Sequence, residues 1–303
     1  MPKSKTLISI VGPTAIGKTE MAIKIAEHFN TEIISADSRQ FYRELEIGTA
    51  KPSENDLSKI PHHFINNKSI IENYSAGEFE RDALIKINSL FELKNYVLMV
   101  GGSGLYVKAL WEGLHTLPQI DNNLREEIIQ FYAKNGIEGL QTRLKKIDAV
   151  RYQTIDQKNP QRLMRAIEIA TTVGKEFEEI IHSKKSERDF KIVKIGLNTS
   201  REKLYERINQ RVDQMIEKGL IKECENVMNH KSHYALQTVG YSEIFEYFEG
   251  KNTLEKAIEL IKQHTRNYAK RQVTWFTRDK EITWFEPTDF EQIMNHIKNF
   301  SKL

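Results

Sequence analysis

Gly12-Pro13-Thr14-Ala15-Ile16-Gly17-Lys18-Thr19 has the spacing G-x-x-x-x-G-K-[ST] and stands between an apolar stretch, Leu7 to Val11, and a helical pattern through Met21, Ile25 and Ala26. In that setting the glycines allow a tight turn whose N–H groups, with the helix N-terminus behind them, face a di- or triphosphate. Lys18 adds a point charge, and the Thr19 hydroxyl can bind a magnesium ion. Such a loop implies polyphosphate binding, ATP included, but no particular reaction. Chemistry must come from elsewhere. Asp37, in Ser35-Ala36-Asp37-Ser38-Arg39-Gln40, follows a second strand-like stretch, and parallel sheets gather ligands at the carboxyl ends of their strands. It is either a general base or a group supporting a magnesium ion, or else the acceptor of an Asx-turn or helix cap, which the local sequence alone favours. Gly101-Gly102-Ser103-Gly104-Leu105-Tyr106 follows another buried-strand candidate, Tyr96 to Val100, and belongs at the same edge. Its glycines permit close approach to a ligand and Ser103 offers a hydroxyl; a plain strand-to-helix turn would look the same.

The elements that carry these residues alternate between strand and helix over the first hundred positions, which predicts an α/β fold with a parallel sheet covered by helices. From about Gln119 to Lys191 the pattern is helical, through Leu124, Ile128, Ile129 and Tyr132 and again through Leu163, Ile167 and Ile169. The organisation expected is a P-loop core over 1–118 and 192–303, interrupted by a helical insertion over 119–191. Lys191 to Leu197 reads as the strand that returns to the sheet. Thr199 then reads as the N-cap of a capping box with Glu202, opening a helix that should stop near Gly219 and bury Leu204, Ile208, Val212 and Met215. Arg207 and Arg211 share another face of it. No clear strand ends in a Walker-B-like aspartate, which counts against a motor ATPase.

The 303 residues carry a net charge of +3, with 39% hydrophobic and 29% charged residues, as expected of a folded, water-exposed chain. No apolar run approaches the roughly 18 residues of a membrane helix, and the first is too short for a secretory signal, so a cytoplasmic location is expected. A single cysteine, Cys224, excludes an intramolecular disulfide and reads as a packed thiol. His62-His63 lacks the ligand spacing of a metal site and is read as structural. Positive charge is local: Lys262, Arg266, Lys270, Arg271, Arg278 and Lys280 face one acid, Asp279. Within that stretch basic and aromatic residues interleave, as they do on surfaces that neutralise phosphates and stack unpaired bases, and equally on a solvated helix whose aromatic side is in the core.

Together the motifs GPTAIGKT at 12–19, ADSRQFY at 36–42, IGTAKP at 47–52, PHHF at 61–64, GGSGLY at 101–106, NPQRLMRAIEI at 159–169, LYERINQRVDQMIEKGL at 204–220, VGYSEI at 239–244 and TRNYAKRQVTWF at 265–276 resemble the tRNA dimethylallyltransferase family, also called tRNA isopentenyl transferases. The resemblance implies a P-loop kinase-like core with an insertion that embraces the tRNA anticodon stem-loop. It implies transfer of a dimethylallyl group from dimethylallyl diphosphate to N6 of the adenosine immediately 3′ of the anticodon, by a monomer using magnesium. Gly12 to Thr19 become the diphosphate site, with Thr19 the metal ligand. Asp37 becomes the general base, Ser103 a catalytic and tRNA-contacting residue, and Arg211, with Arg207 as the alternative, the grip on the departing diphosphate. Asp37, Ser38, Arg39, Gln40, Ser103, Arg125, Gln161, Arg162, Leu163, Met164 and Arg165 match segments that touch tRNA. Many relatives have Ser in place of Ile16 and Thr in place of Ser103. The sequence ends at Leu303 without the zinc-finger extension of eukaryotic relatives, so a bacterial-type enzyme is expected. Competing classes are a metabolite kinase with ATP in the loop, a transferase acting on free adenine nucleotides, and a non-enzymatic RNA-binding module.

Overall fold

The computed structural model describes residues 5–115, 121–174 and 187–300. The chain divides into two compact units, one formed by residues 1–113 and 187–303, the other by 114–186. In the first, β1 (Thr6–Val11), β2 (Ile33–Ala36), β3 (His62–His63), β4 (Tyr96–Gly101), β5 (Lys191–Leu197) and β6 (Thr283–Phe285) form one parallel sheet in the order β3-β2-β4-β1-β5-β6. Placing β4 between β1 and β2 brings the ends of β1, β2 and β4 side by side. Val11 and Ala36 are both in register with Gly101. The short edge strands β3 and β6 have no periodicity to read and are visible only in the fold.

β1 is buried on both faces, as a central parallel strand must be. Ile8 and Ile10 point into a core with α1 (Lys18–Phe29), α8 (Arg201–Glu217) and α12 (Phe290–Phe300); Leu7 and Val11 point into a second core with α3 (Ala76–Leu93) and α4 (Gly104–Glu112). The period of two thus selects which helices each strand residue meets. Ser75 starts α3 with a capping box to Glu78, and Ser53 does the same with Asp56 for α2 (Glu54–Lys59), each worth about 1 kcal/mol. A third core joins α8 to α9 (Leu220–Val227), α10 (Tyr241–Phe248) and the long α11 (Leu254–Phe276), and it buries Cys224. Burial pushes the Cys224 thiol up, away from reactivity.

One local expectation is corrected. The N-cap of α8 is Ser200, not Thr199: its side chain accepts from the Lys203 N–H, three residues on, and Glu202 lies in the first turn. The sheet resumes at Lys191, in register with Thr6, and the strand runs to Leu197 as its sequence predicts. Arg188 is already part of this unit, held by the carbonyls of Ala109 and Leu110 and by Glu80. The other boundary, at 118/119, lies outside the described residues.

The second unit is helical: α5 (Asn122–Ile147), α6 (Ala149–Thr154) and α7 (Pro160–Val173). α5 is two helical segments meeting at Gly136, whose φ of 64° and ψ of −165° interrupt the helix. Ile128, Leu140, Leu144, Leu163, Met164, Ala166 and Ile167 form its core. Ile129, read from the sequence as part of that face, is instead 49% exposed. Among the described residues no helix is long and apolar enough to cross a membrane.

Candidate active site at the carboxyl edge of the sheet

The loop after β1 turns at Gly12, where φ is +147° and an added Cβ would stand 2.4 Å from the Leu197 carbonyl of β5, so only glycine fits. Gly17, at φ 102°, opens α1. Lys18 folds back over the loop and donates to the carbonyls of Gly12 (3.0 Å) and Pro13 (2.7 Å). Burial of its ammonium lowers the pKa to about 7, with Asp37 opposing the shift and Arg211 adding to it. Thr19 is half-buried one residue further along α1, and the Ile16 side chain is fully buried in the core.

α8 delivers two arginines to this loop. Arg207 Nη1 donates to the Ile16 carbonyl at 3.0 Å, and Arg211 Nη2 donates to the Thr14 hydroxyl. Arg211 Nε is buried with no partner among the described residues. Burial lowers the pKa of this guanidinium and the Asp37 carboxylate works against that. Lys18 and Arg211 are therefore cations held close together in a partly dry site, a costly arrangement unless an anion completes it.

Across the sheet edge, Asp37 does form the Asx-turn: its Oδ1 accepts from the Arg39 N–H at 3.0 Å. The cap and the catalytic readings are thus compatible, because that bond uses one carboxylate oxygen while the charge is sensed by Lys18 and Arg211. The neighbouring Ser38 N–H donates to Ser103 Oγ at 2.9 Å, and Ser103 Oγ donates to Ser38 Oγ at 3.1 Å, so Ser103 ties the loop after β4 to the loop after β2. Arg39 lies over the Tyr234 ring at 4.5 Å and has a buried Nη1 without a partner among the described residues.

Gln40, expected at the RNA surface, also braces its own loop. Its Oε1 accepts from the Ser35 hydroxyl at 3.2 Å and its Nε2 donates to the carbonyls of Thr49 (3.2 Å) and Ala50 (3.3 Å), which leaves little of the amide for a ligand. The braced loop is held from its other side by Glu223, whose carboxylate accepts from the N–H groups of Glu46, Ile47 and Gly48 and from the Tyr241 hydroxyl. His62 and His63 likewise serve structure, against the Ile60 carbonyl and Glu32.

Sequence reasoning missed what one face of α11 contributes. Gln272 is buried and accepts from the Thr14 N–H at 2.8 Å while donating to the Gly102 carbonyl at 2.9 Å. A Cβ on Gly104 would collide with Trp275, whose ring covers that glycine. The Tyr268 hydroxyl is pushed up to about 12 by burial and by the charge of Asp37, with Ser103 also beside it. The signal was available: 268, 272 and 275 follow the i, i+4, i+7 spacing of one helical stripe, which faces away from Arg266 and Lys270 and has Arg271 at its edge, over the Tyr268 ring at 5.8 Å. Of those, Arg266 bonds Asn209 of α8 at 2.7 Å, whereas Lys270 and Arg271 are exposed.

The helical unit holds a different cluster. The buried Glu168 carboxylate bonds Arg165 at 3.0 Å and pairs with Arg125 at 3.9 Å; both guanidiniums remain about half exposed. Gln161 and Arg162 are exposed as well. Leu163 and Met164, expected in the same RNA-contacting segment, turn their side chains into the core, because consecutive positions of an amphipathic helix cannot all face solvent.

Residues 40–279 match the family described as IPP transferase. The chain is 51% identical to the tRNA dimethylallyltransferase of Christiangramia forsetii over 93% of this chain and 94% of that one, and 49% identical to that of Flavobacterium johnsoniae, with 97% of each covered. Among solved structures, the tRNA isopentenylpyrophosphate transferase of Bacillus halodurans superposes with a TM-score of 0.72 at 36% identity, covering 98% of this chain and 95% of that one. A eukaryotic dimethylallyltransferase acting on tRNA gives 0.80 at 26% identity over 98% and 78%. With a P-loop at the end of β1, an aspartate at the end of β2 and similarity along nearly its whole length, the chain belongs to the IPP transferase family.

Proposed function

We propose that the protein transfers a dimethylallyl group from dimethylallyl diphosphate to N6 of the adenosine immediately 3′ of the anticodon in tRNA, releasing diphosphate. The observation that carries this reading is the charge arrangement at the sheet edge, where one carboxylate, Asp37, faces the Lys18 and Arg211 cations within a chain of this family. An adenine amine is a weak nucleophile because its lone pair is delocalised into the ring, so it needs a base and a good leaving group.

Asp37 accepts the N6 proton as the new C–N bond forms. Residues 12–19, Lys18 and Arg211 bind the diphosphate and stabilise its charge as the C–O bond breaks. Arg211 is the grip and Arg207 the brace, since Arg211 keeps a buried Nε to offer whereas Arg207 Nη1 is spent on the Ile16 carbonyl. Ser103 holds Ser38 and so fixes Asp37 from behind. The adenine must leave its stack to reach the site, at a cost of a few kcal/mol.

Among the described residues no three His, Cys, Asp or Glu side chains gather as a metal cluster. Magnesium commonly takes most of its ligands from substrate phosphates and water, and the Thr19 hydroxyl would be its protein ligand. Bound there, it would neutralise part of the diphosphate charge. Arg125, Gln161, Arg162 and Arg165 offer the helical unit's exposed polar groups to RNA phosphates. The loop, the base and both arginines lie in one chain, so the site as proposed works in a monomer, and a tRNA substrate supports a cytoplasmic setting.

The test incubates the protein with dimethylallyl diphosphate and unmodified tRNA or AMP, and separately with ATP and candidate alcohols. Prenylated tRNA alone is expected. Prenylated AMP, or phosphorylated alcohol, would replace this reading with a free-nucleotide transferase or a kinase.

A further inference from the structure

We infer that Gln272 is a positioning residue that couples the donor side of the site to the acceptor side, holding the two at the spacing at which the amine, and not water, captures the allylic carbon. The inference rests on the transfer reading above. It starts from a chain of contacts that runs from the phosphate loop, through the loop after β4, to the loop that carries Asp37. The Thr14 N–H in the phosphate loop donates to Gln272 Oε1 (2.8 Å), Gln272 Nε2 donates to the Gly102 carbonyl (2.9 Å), and the next residue, Ser103, accepts from the Ser38 N–H (2.9 Å), one position from Asp37.

Three features make this a coupling device and not ordinary core packing. First, the two partners demand opposite chemistry: Thr14 needs an acceptor, Gly102 a donor, and a carboxamide offers one of each on two separate atoms of one planar group. Second, the bridge runs between loops and not within one, so the connected residues are far apart in sequence, 258 positions for Thr14 and 170 for Gly102. Third, the space is filled. A Cβ on Gly102 would stand 2.3 Å from Gln272 Nε2, so that glycine makes room for the amide. Trp275, one turn further along α11, closes over Gly104 in the same way. α11 is thereby a common backing for both loops, anchored at Ala269 in the core shared with α1 and α8 and at Phe276 in the core shared with α3 and α4.

Such a backing matters because the reaction has a competitor. As the C–O bond to diphosphate breaks, the allylic carbon can form its new bond to N6, with the proton passing to Asp37, or to the oxygen of a water molecule, which gives dimethylallyl alcohol and a proton. Which wins depends on how closely the acceptor is held, and a displacement of about 1 Å can cost 10²-fold in rate. Removing the bridge therefore changes the partition between the two products, an effect that a residue serving stability alone does not have.

The experiment uses the whole chain with Gln272→Met, which keeps length and volume but neither bond, and Gln272→Glu, which keeps the acceptor and presents a carboxylate to the Gly102 carbonyl; the second stands in if the first does not fold. Activity is counted per folded molecule by circular dichroism at the assay temperature. The expected result is kcat for tRNA prenylation lowered by about 10²-fold, KM for dimethylallyl diphosphate nearly unchanged, and dimethylallyl alcohol appearing only when tRNA is present. Normal kcat per folded molecule, or a loss of rate with no alcohol formed, overturns the inference. Amide exchange gives an independent reading: Ser38, which Gln272 does not touch, should exchange faster in the variants along with Thr14, and an unchanged Ser38 also overturns it. Wild-type protein that prenylates no tRNA would defeat the transfer reading before any substitution is made, while the exchange result still reads the coupling between loops.

Discussion

The sheet edge and the helical unit both gather arginines, but they treat the charge in opposite ways. At the sheet edge Lys18 and Arg211 are held in a partly dry site against backbone carbonyls and the Thr14 hydroxyl, with Asp37 as the nearby carboxylate. In the helical unit one buried carboxylate, Glu168, holds Arg125 and Arg165 by their near ends while about half of each side chain stays in water. A dry, preorganised charge interacts strongly and is little screened; a wet one interacts weakly, is screened by salt, and acts mainly through number. The first arrangement suits a bond-breaking step and the second suits a polyanion whose phosphates are many and individually weak.

The sharpest way to break this comparison is at Asp37. Asp37→Ala should lower turnover by roughly 10²- to 10⁴-fold, the usual worth of a general base, while tRNA binding is retained. Asp37→Asn is the more discriminating variant, because its carbonyl can still accept from the Arg39 N–H and preserve the turn. Turnover near normal for Asp37→Asn would reduce Asp37 to a cap and remove the acid–base half of the contrast.

Lys18 should show the next effect. Lys18→Ala is expected to weaken use of dimethylallyl diphosphate by roughly 10- to 100-fold in kcat/KM, the scale of one hydrogen bond to a charged group. Burial gives the contrast a pH signature. With the Lys18 pKa lowered to about 7, the ammonium is charged below that pH and is neutral above it in the free protein. Binding a diphosphate above pH 7 then requires proton uptake, so KM for that substrate should climb as pH rises, by up to about tenfold per unit. Lys18→Arg, charged throughout, should flatten the rise. A KM that does not vary between pH 6.5 and 8.5 would show that the ammonium is not dry.

Changes in the helical unit should be smaller and should respond to salt. Replacing Arg125, Arg162 and Arg165 with Gln is expected to lower tRNA affinity and reduce the slope of log K against log salt by about 0.7 to 0.9 for each phosphate that is no longer neutralised. Turnover at saturating tRNA should stay within about twofold of the wild type. If the slope is unchanged in a folded protein, the RNA surface lies elsewhere. The smallest effect is expected for neutralising Arg266, Lys270 and Arg271 together. Arg266 is engaged by Asn209, which leaves Lys270 and Arg271 as the exposed cations of this trio. A loss of melting temperature with the salt slope intact would assign all three to holding α11 in place.

The sequence by itself determined the features that are settled within a few consecutive residues. The phosphate loop is one, because Gly12 and Gly17 encode backbone angles that side chains resist and Lys18 follows at the helix start. The buried strands β1 and β4, the core face of α8 and the thiol packing of Cys224 are others, because periodicity and burial of apolar residues are local patterns. Tertiary structure decided everything that required two distant segments to meet. Asp37 looks like a turn residue in its own segment, and only the fold sets its carboxylate where Lys18 and Arg211 feel its charge. Arg207 and Arg211 look alike in the sequence, and only the fold shows that each gives one bond to the loop while Arg211 alone of the two keeps a buried Nε without a partner among the described residues. Gln40 has carbonyl partners at 49 and 50 that its own segment does not announce. Leu163 and Met164 sit in a motif as neighbours of exposed arginines, yet the helix turns them into the core. Gln272 is the extreme case: a polar residue in a basic stretch whose partners lie 258 and 170 positions away. The physical reason is the same throughout. Backbone preference and apolar periodicity act over one or two turns of chain, whereas a hydrogen bond or a charge is satisfied by whatever the folded sheet brings within about 3 Å, and nothing in the local sequence specifies that neighbour.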